Sequence, residues 1–469
     1  MKVFSTWGLR LSITLYTLLH FFTAFFNNKF ALSALAIAGL ALFFFSLLYL
    51  SIQKFKLPFT IFICGILILL FSDHSVLNGI LQGLILMKDM IGLLIIVPLI
   101  GWVLREEPYI EDIMSVFYTF INTSQKFYLS LITFTQIIAY FLLFGSIPMM
   151  YQFVNIILKD HHTEFWEKYK GTALLRGFAL STLWVVSIPS FIFAVEALGA
   201  SLWLAILQGL GIAIIGTILA VTFAFFSEKR SGFSITPTLQ QNIKLVLVNA
   251  SPKEIRKKKV IEFFLLFISL FGSIFLIHGV FRIPLMLIIP LVIVGWICAF
   301  FLFKRRGYKL TRVAKEYVRK DMINQSYQLN IMLSVGVLIF ALRQTGFAPT
   351  IVNSLHFLQD TIPFINPLFL LPFIVIILGF FGLGPLTVMV LVAGILSGME
   401  LPYSPELIVL SITSGSVISI LISPVIMPVI ALSASNGLSM FTNGIKFNWK
   451  YAIVFYIIVQ TYIQIMVHV

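Results

Sequence analysis

Apolar and polar positions alternate on the scale of a lipid bilayer. Runs of about 16 to 25 mostly apolar residues are separated by short clusters of Asn, Lys, Asp, Glu and His. At 1.5 Å per helical residue such runs cross a hydrocarbon core. The period-2 alternation of a membrane barrel is absent, which excludes a β-barrel. The pattern predicts an all-α polytopic membrane protein with eleven crossings: Leu11–Phe26, Ala31–Ile52, Leu57–Phe71, Met90–Leu104, Gly177–Leu198, Leu202–Phe226, Val260–Ile277, Leu285–Phe303, Asn330–Leu342, Leu407–Leu432 and Tyr451–Val467. An outer segment from Asp73 to about Asp89 precedes the fourth. A polar amphipathic stretch, Pro108 to Lys126, is expected to lie at the interface.

Two further runs do not read as simple crossings. Phe127 to Phe144 meets the break Phe144-Gly145-Ser146-Ile147-Pro148, and the piece after it, Met149 to Leu158, is too short to span. Phe364 to Gly398 is interrupted by Phe381-Gly382-Leu383-Gly384-Pro385, whose Pro385 stands 237 residues after Pro148. Gly and Pro end helices by backbone freedom and by the missing N–H. Both runs are therefore expected to be re-entrant helical hairpins. A second break follows each at nearly equal distance, Ser187-Ile188-Pro189 in the first half and Ser423-Pro424 in the second. Leu104-Arg105 and Leu342-Arg343 repeat at an offset of 238. One shared offset predicts an internal duplication. Five crossings separate matching helices, an odd number, so the two copies would be inverted in the membrane. The expected division is an N-terminal helix (1–29), a first repeat (30–227), a basic linker (228–259) and a second repeat (260–469).

Charge orients this plan. Segments 228–260 and 304–320 hold eight Lys or Arg each, half of the chain's 32, and they flank one helical pair. The positive-inside rule names their side the cytoplasm, with the N-terminus inside and the C-terminus outside a cell membrane. The net charge of +14 is then explained by topology and anionic lipid rather than nucleic acid. With 59% hydrophobic and 11% charged residues, a soluble globule is excluded. Asn27-Asn28-Lys29 offers no small-residue cleavage site, so the N-terminal run is kept as a helix and not a signal peptide. Cys64 and Cys298 sit in different apolar runs and read as inert core residues.

The layout and short motifs resemble the ion transporter superfamily, which includes divalent anion:sodium symporters, arsenite and citrate permeases, and anaerobic dicarboxylate and gluconate carriers. The residues carrying the resemblance are Leu342-Arg343-Gln344-Thr345-Gly346, the Gly379 to Pro385 tip, Ser414-Gly415-Ser416 and Ser423-Pro424, and the likeness extends over roughly residues 30 to 469. It implies a secondary transporter in which hairpins and broken helices move against a scaffold, elevator fashion, with the scaffold forming a homodimer. Sodium:dicarboxylate members carry Ser-Asn-Thr at the tips to hold substrate and sodium. Neither tip here has it, and Ser146 and Thr387 are the nearest polar groups.

The residues themselves point to a binding site at the breaks. An unwound segment in lipid leaves backbone groups that a solute can satisfy, with half-helix N-termini facing an anion and C-termini a cation. The expected substrate contacts are Gly145, Ser146, Ser187, Gly382, Gly384, Thr387, Thr413, Ser414 and Ser423, with the glycines permitting close backbone approach. Glu196, the one acid well inside an apolar run, is the candidate coupling residue, for Na+ or H+ coupling. The bland alternative is that Pro and Gly only kink the helices while Ser satisfies freed carbonyls. No cofactor, resident metal or nucleic-acid partner is expected; the partners are a small-molecule solute and the bilayer. His161-His162 has no third ligand nearby in sequence, paired membrane-boundary acids and His-Glu-x-x-His are absent, and there is no Walker lysine motif. An enzyme is therefore not expected. A channel suits two breaks per half less well than alternating access. The alternative function is a lipid or polyprenyl-phosphate translocase, which would need Arg or Lys lining a lateral opening.

Overall fold

The computed structural model describes residues 2–26, 28–73, 75–118, 121–158, 163–232, 234–248, 252–345, 347, 350, 366–399 and 401–468. The turn at Lys159 to His162, most of the loop Gly346 to Thr361 and the expected hairpin start at Phe364 lie outside them. The described residues form helices and short connections, with no strand among them. Among the described residues, ten helical stretches are long and apolar enough to cross a bilayer. Lys2–Phe25 is not one of the ten, and neither is the pair Glu164–Ser181 and Pro189–Ala197. Apolar residues on the outer faces remain exposed, as with Trp7, Phe44, Ile218, Leu265 and Ile457. Lipid is the solvent for such a surface.

Several boundaries differ from the expectation for one reason: hydropathy marks the hydrocarbon slab, whereas a helix continues through Lys, Arg, Glu and Gln, which are good helix formers. Leu285–Phe303 coincides with its apolar run, but Val260–Ile277 is the middle of Lys253–Phe281. The basic linker is largely helical, containing the end of Leu202–Ser231 and all of Ile235–Val248. Val76–Leu86, expected in an outer segment, is a packed helix. A Cβ on Gly83 would stand 2.5 Å from the Val337 Cα, and one on Gly336 would stand 2.3 Å from the Gly83 carbonyl oxygen. These glycines permit that backbone contact.

The largest correction concerns the first broken helix. It begins at Glu164 rather than Gly177, because the charges that interrupt the apolar run are accommodated by partners. Lys170 is fully buried, with its Nζ 2.5 Å from Glu167 Oε1 and 3.0 Å from Asn155 Oδ1. The Tyr151 hydroxyl donates to the other Glu167 oxygen at 2.8 Å.

Those contacts reveal the path of the preceding segment. Tyr169 donates to the Ser124 carbonyl at 2.5 Å, while Glu167 and Lys170 meet Tyr151 and Asn155. The start of Ser124–Leu142 and the end of Ser146–Ile157 thus reach the same turn of one helix. A straight path would hold them about 45 Å apart, so the chain doubles back at Leu143–Gly145. The first arm runs parallel to the broken helix, from Tyr128–Thr172 at one end to Tyr140–Ser187 at the other.

In the second half, too, a helix before the tip runs alongside a broken helix. Pro367–Phe380 runs beside Pro405–Ile422, with Ser411 donating to the Leu368 carbonyl at 2.8 Å and Ser423 to the Gly379 carbonyl at 3.2 Å. Gly384–Leu396 follows the tip, and Arg343 donates to the Gly394 carbonyl and Ser397 hydroxyl near its end. The two broken helices lie antiparallel. Gly171 faces Leu432 and Asn436 at one end, and the Ser201 amide donates to Glu406 at the other.

Candidate solute site

Both tips and the first break meet at one cavity of about 240 Å³, which the second broken helix borders through the turns before its break. The first tip contributes Leu142, Leu143, Phe144 and Gly145, and the first broken helix contributes Thr182 and Ile188 to Ser190. The second tip adds Pro385 and Leu386; the second broken helix adds Ser416 and Ile420. Leu94, Pro98, Gln325 and Gln328 close the remaining wall. No charged side chain appears among its described lining residues.

Three helix N-termini are directed to this place by sequence. Gly145 precedes Ser146–Ile157, Ile188 precedes Pro189–Ala197, and Leu383 precedes Gly384–Leu396 with Pro385 in its first turn. Proline there is already shaped for a helix start. Leu142 and Thr182 mark the C-terminal ends of the two opposing segments. The cavity is therefore bordered by positive and negative helix ends without a formal charge.

Two polar atoms at the wall are unanswered. Ser416 is fully buried and its Oγ has no hydrogen-bond partner; Gln325 Oε1 is likewise buried and unpartnered. An unmet buried hydroxyl costs about 1–3 kcal/mol, a cost that a polar solute would offset.

Of the expected site residues, Gly145 alone lines the cavity. Ser146 lies next to it, fully buried with an unpartnered Oγ. Ser187 and Ser423 are engaged: each hydroxyl donates to a carbonyl in the neighbouring hairpin arm, Tyr140 at 2.7 Å and Gly379 at 3.2 Å. That is the role of satisfying freed carbonyls. Thr413 and Ser414 turn back on their own helix, donating to Val409 and Ser411 carbonyls, and Thr387 is buried without lining the cavity. Gly382 and Gly384 do not make a close approach, since an added Cβ would meet nothing within 4 Å. Their use is conformational, with φ of +86° and +70°, a region that costs glycine little. The first tip reaches positive φ at Leu143 instead.

Glu196 does not line the cavity. One of its oxygens accepts from the Leu285 and Met286 amides in the first turn of Leu285–Phe303. It caps a helix whose Pro284 boundary residue supplies no side-chain acceptor.

Ser416, Thr182, Ser190, Gln325 and Gln328 line the cavity but stand outside the expected substrate contacts. Helical phase was the available signal. Positions 411, 415 and 419 face the hairpin arm, which turns 416 and 420 toward the cavity and 414 away.

No protein-family profile matches the sequence, and no curated protein matches it. What fold and surface define is a class: a multi-pass, all-helical membrane protein with ten membrane-capable stretches among its described residues.

Proposed function

We propose that the chain is a secondary active transporter for a small anionic, carboxylate-like solute, coupled to Na+ or H+. Two inverted repeats, each with a re-entrant hairpin and a broken helix, form the moving unit, and the other helices form a dimeric scaffold in a cell membrane. The observation that carries this reading is the meeting of both tips and both broken helices at one cavity with uncharged polar lining and unmet buried oxygens. The doubled-back segment and the antiparallel broken helices support the inverted arrangement. Helix N-termini and hydroxyls supply what an anion needs, while an unpaired cation at the cavity would cost more when the solute leaves.

The test is uptake of labelled mono- and dicarboxylates into proteoliposomes under imposed sodium or proton gradients. Gradient-driven accumulation supports the proposal; absence of flux for every small anion with either gradient removes it. Proton coupling through Glu196 predicts that Glu196→Gln, whose amide oxygen still caps Leu285, abolishes proton-driven uptake while preserving folding.

A further inference from the structure

A second cavity, of about 760 Å³, shares no lining residue with the first. It lies between Glu164–Ser181, the end of Leu202–Ser231 and the start of Phe447–Val467. Five cations line it: Lys168, Arg176, Arg230, Lys446 and Lys450. The one described carboxylate paired with any of them is Glu164, 2.5 Å from Lys446 at a rim where both side chains are more than half exposed.

Arg176 makes this more than a basic surface. Only 3% of it is exposed, and its hydrogen-bond partners are all neutral: Asn448 Oδ1 at 3.0 Å, the Tyr128 hydroxyl at 3.2 Å and the Phe447 carbonyl at 3.4 Å. Its guanidinium stands 4.3 Å from the Tyr451 ring centroid. No carboxylate among the described residues forms an ion pair with it. Buried charges are ordinarily paired, yet here the surroundings add like charges. The arrangement lacks an anion.

We propose that this cavity binds a phosphate group, with Arg176 at its base and Lys168 and Lys450 toward its mouth. A guanidinium fork beside ammonium groups matches phosphate oxygens in geometry and charge. The rim favours the headgroup of an anionic phospholipid as the source. Phe226 and Trp449 line the opening and are 60% and 48% exposed, and the helices carrying them present Ile218, Ile453 and Ile457 to the surroundings. Acyl chains can follow those faces while the headgroup turns inward, as at other basic pockets between transmembrane helices.

The test measures binding without transport, so its failure is distinct from failure of the carrier reading. Purified protein is exchanged into equimolar phosphatidylglycerol and phosphatidylcholine, and retained lipid is counted by native mass spectrometry. Preferential retention of phosphatidylglycerol is expected, falling about tenfold in Lys168→Gln/Lys450→Gln. Arg312→Gln/Lys315→Gln, on the exposed helix Gly307–Glu316, removes the same charge elsewhere and should leave retention unchanged. In neutral detergent, inorganic pyrophosphate is titrated while thermal unfolding is followed. Stabilisation by pyrophosphate that the first double variant loses, without lipid preference, assigns the phosphate site to a soluble ligand. No lipid preference and no pyrophosphate response, or equal loss in both double variants, overturns the proposal. Because Lys168 and Lys450 are tested, the result does not depend on whether Arg176→Gln folds.

Discussion

Gly177 and Gly415, 238 positions apart, seat the two broken helices against the helices Ser124–Leu142 and Pro367–Phe380 in the same way. A Cβ on Gly177 would stand 2.9 Å from the Ile132 carbonyl oxygen, and one on Gly415 would stand 2.7 Å from the Pro372 carbonyl oxygen. Backbone meets helix backbone at both places, so a methyl group has nowhere to go. Gly177→Ala and Gly415→Ala should each destabilise the protein by about 1–3 kcal/mol through overpacking, measured by thermal unfolding in detergent. A similar loss at both sites is expected, and an unchanged midpoint at either would show that its contact is not tight.

The hydroxyls at the breaks predict a different signature. Ser187 and Ser423 each answer a carbonyl near a hairpin tip. Ser187→Ala removes the hydroxyl partner of the Tyr140 carbonyl, at about 1–3 kcal/mol, whereas Ser423→Ala leaves the Gly379 carbonyl its bond from the Gly382 amide at 3.2 Å and should cost less. Thermal stability should fall while the apparent affinity for solute in proteoliposomes stays constant. A weakened affinity with normal stability would return both serines to the binding surface.

This pairing shows how much the sequence could disclose. Gly145, Pro148, Gly382, Pro385, Pro189 and Pro424 mark the breaks because glycine and proline act locally on the backbone. Side-chain direction does not follow from such markers. Ser414 and Ser416 look equivalent in sequence, yet one bonds its own helix and the other faces the cavity, as decided by the arm packed against Gly415. The start at Glu164 was hidden for the converse reason: Lys170 and Arg176 resemble loop residues until Asn155, Glu167 and Asn448 are placed around them. The spacing of Glu164 to Lys168 and Glu167 to Lys170 was the helical clue.

A charge cluster outside the spans predicts acid sensitivity. Burial by itself raises the Glu107 pKa, but Lys259 at 2.6 Å and Arg306 at 2.9 Å outweigh it and hold the carboxyl below its ordinary range. A depressed carboxylate pKa contributes stability that is present above the unfolded value and is lost as pH falls through the folded one. Wild-type protein should therefore lose stability relative to Glu107→Gln as pH drops below about 4.3. Parallel pH profiles for the two proteins would show that the cluster contributes nothing.

The antiparallel placement can be read by cross-linking. Glu164→Cys with Lys446→Cys joins one end of the bundle, where the native side chains form an ion pair. Ser201→Cys with Glu406→Cys joins the other. With Cys64 and Cys298 replaced, both pairs should form disulfides in membranes, and an impermeant maleimide applied to sealed vesicles should block one pair only. Blocking of both from the same side would refute two broken helices crossing in opposite directions.

Ser416 separates stability from recognition most sharply. Its Oγ is buried without a partner on the cavity wall, so Ser416→Ala removes an unmet polar atom and should leave the unfolding midpoint unchanged or higher. If the hydroxyl donates to a bound anion, the same change removes a charge-assisted hydrogen bond worth about 1.5–3 kcal/mol, or about 10- to 100-fold in apparent affinity. Ser414→Ala, two residues away, removes a hydroxyl that already donates to Ser411 and should leave affinity alone. The opposite result, with Ser414→Ala impairing uptake and Ser416→Ala silent, would place the solute on the other face of this helix and take the cavity out of the transport path.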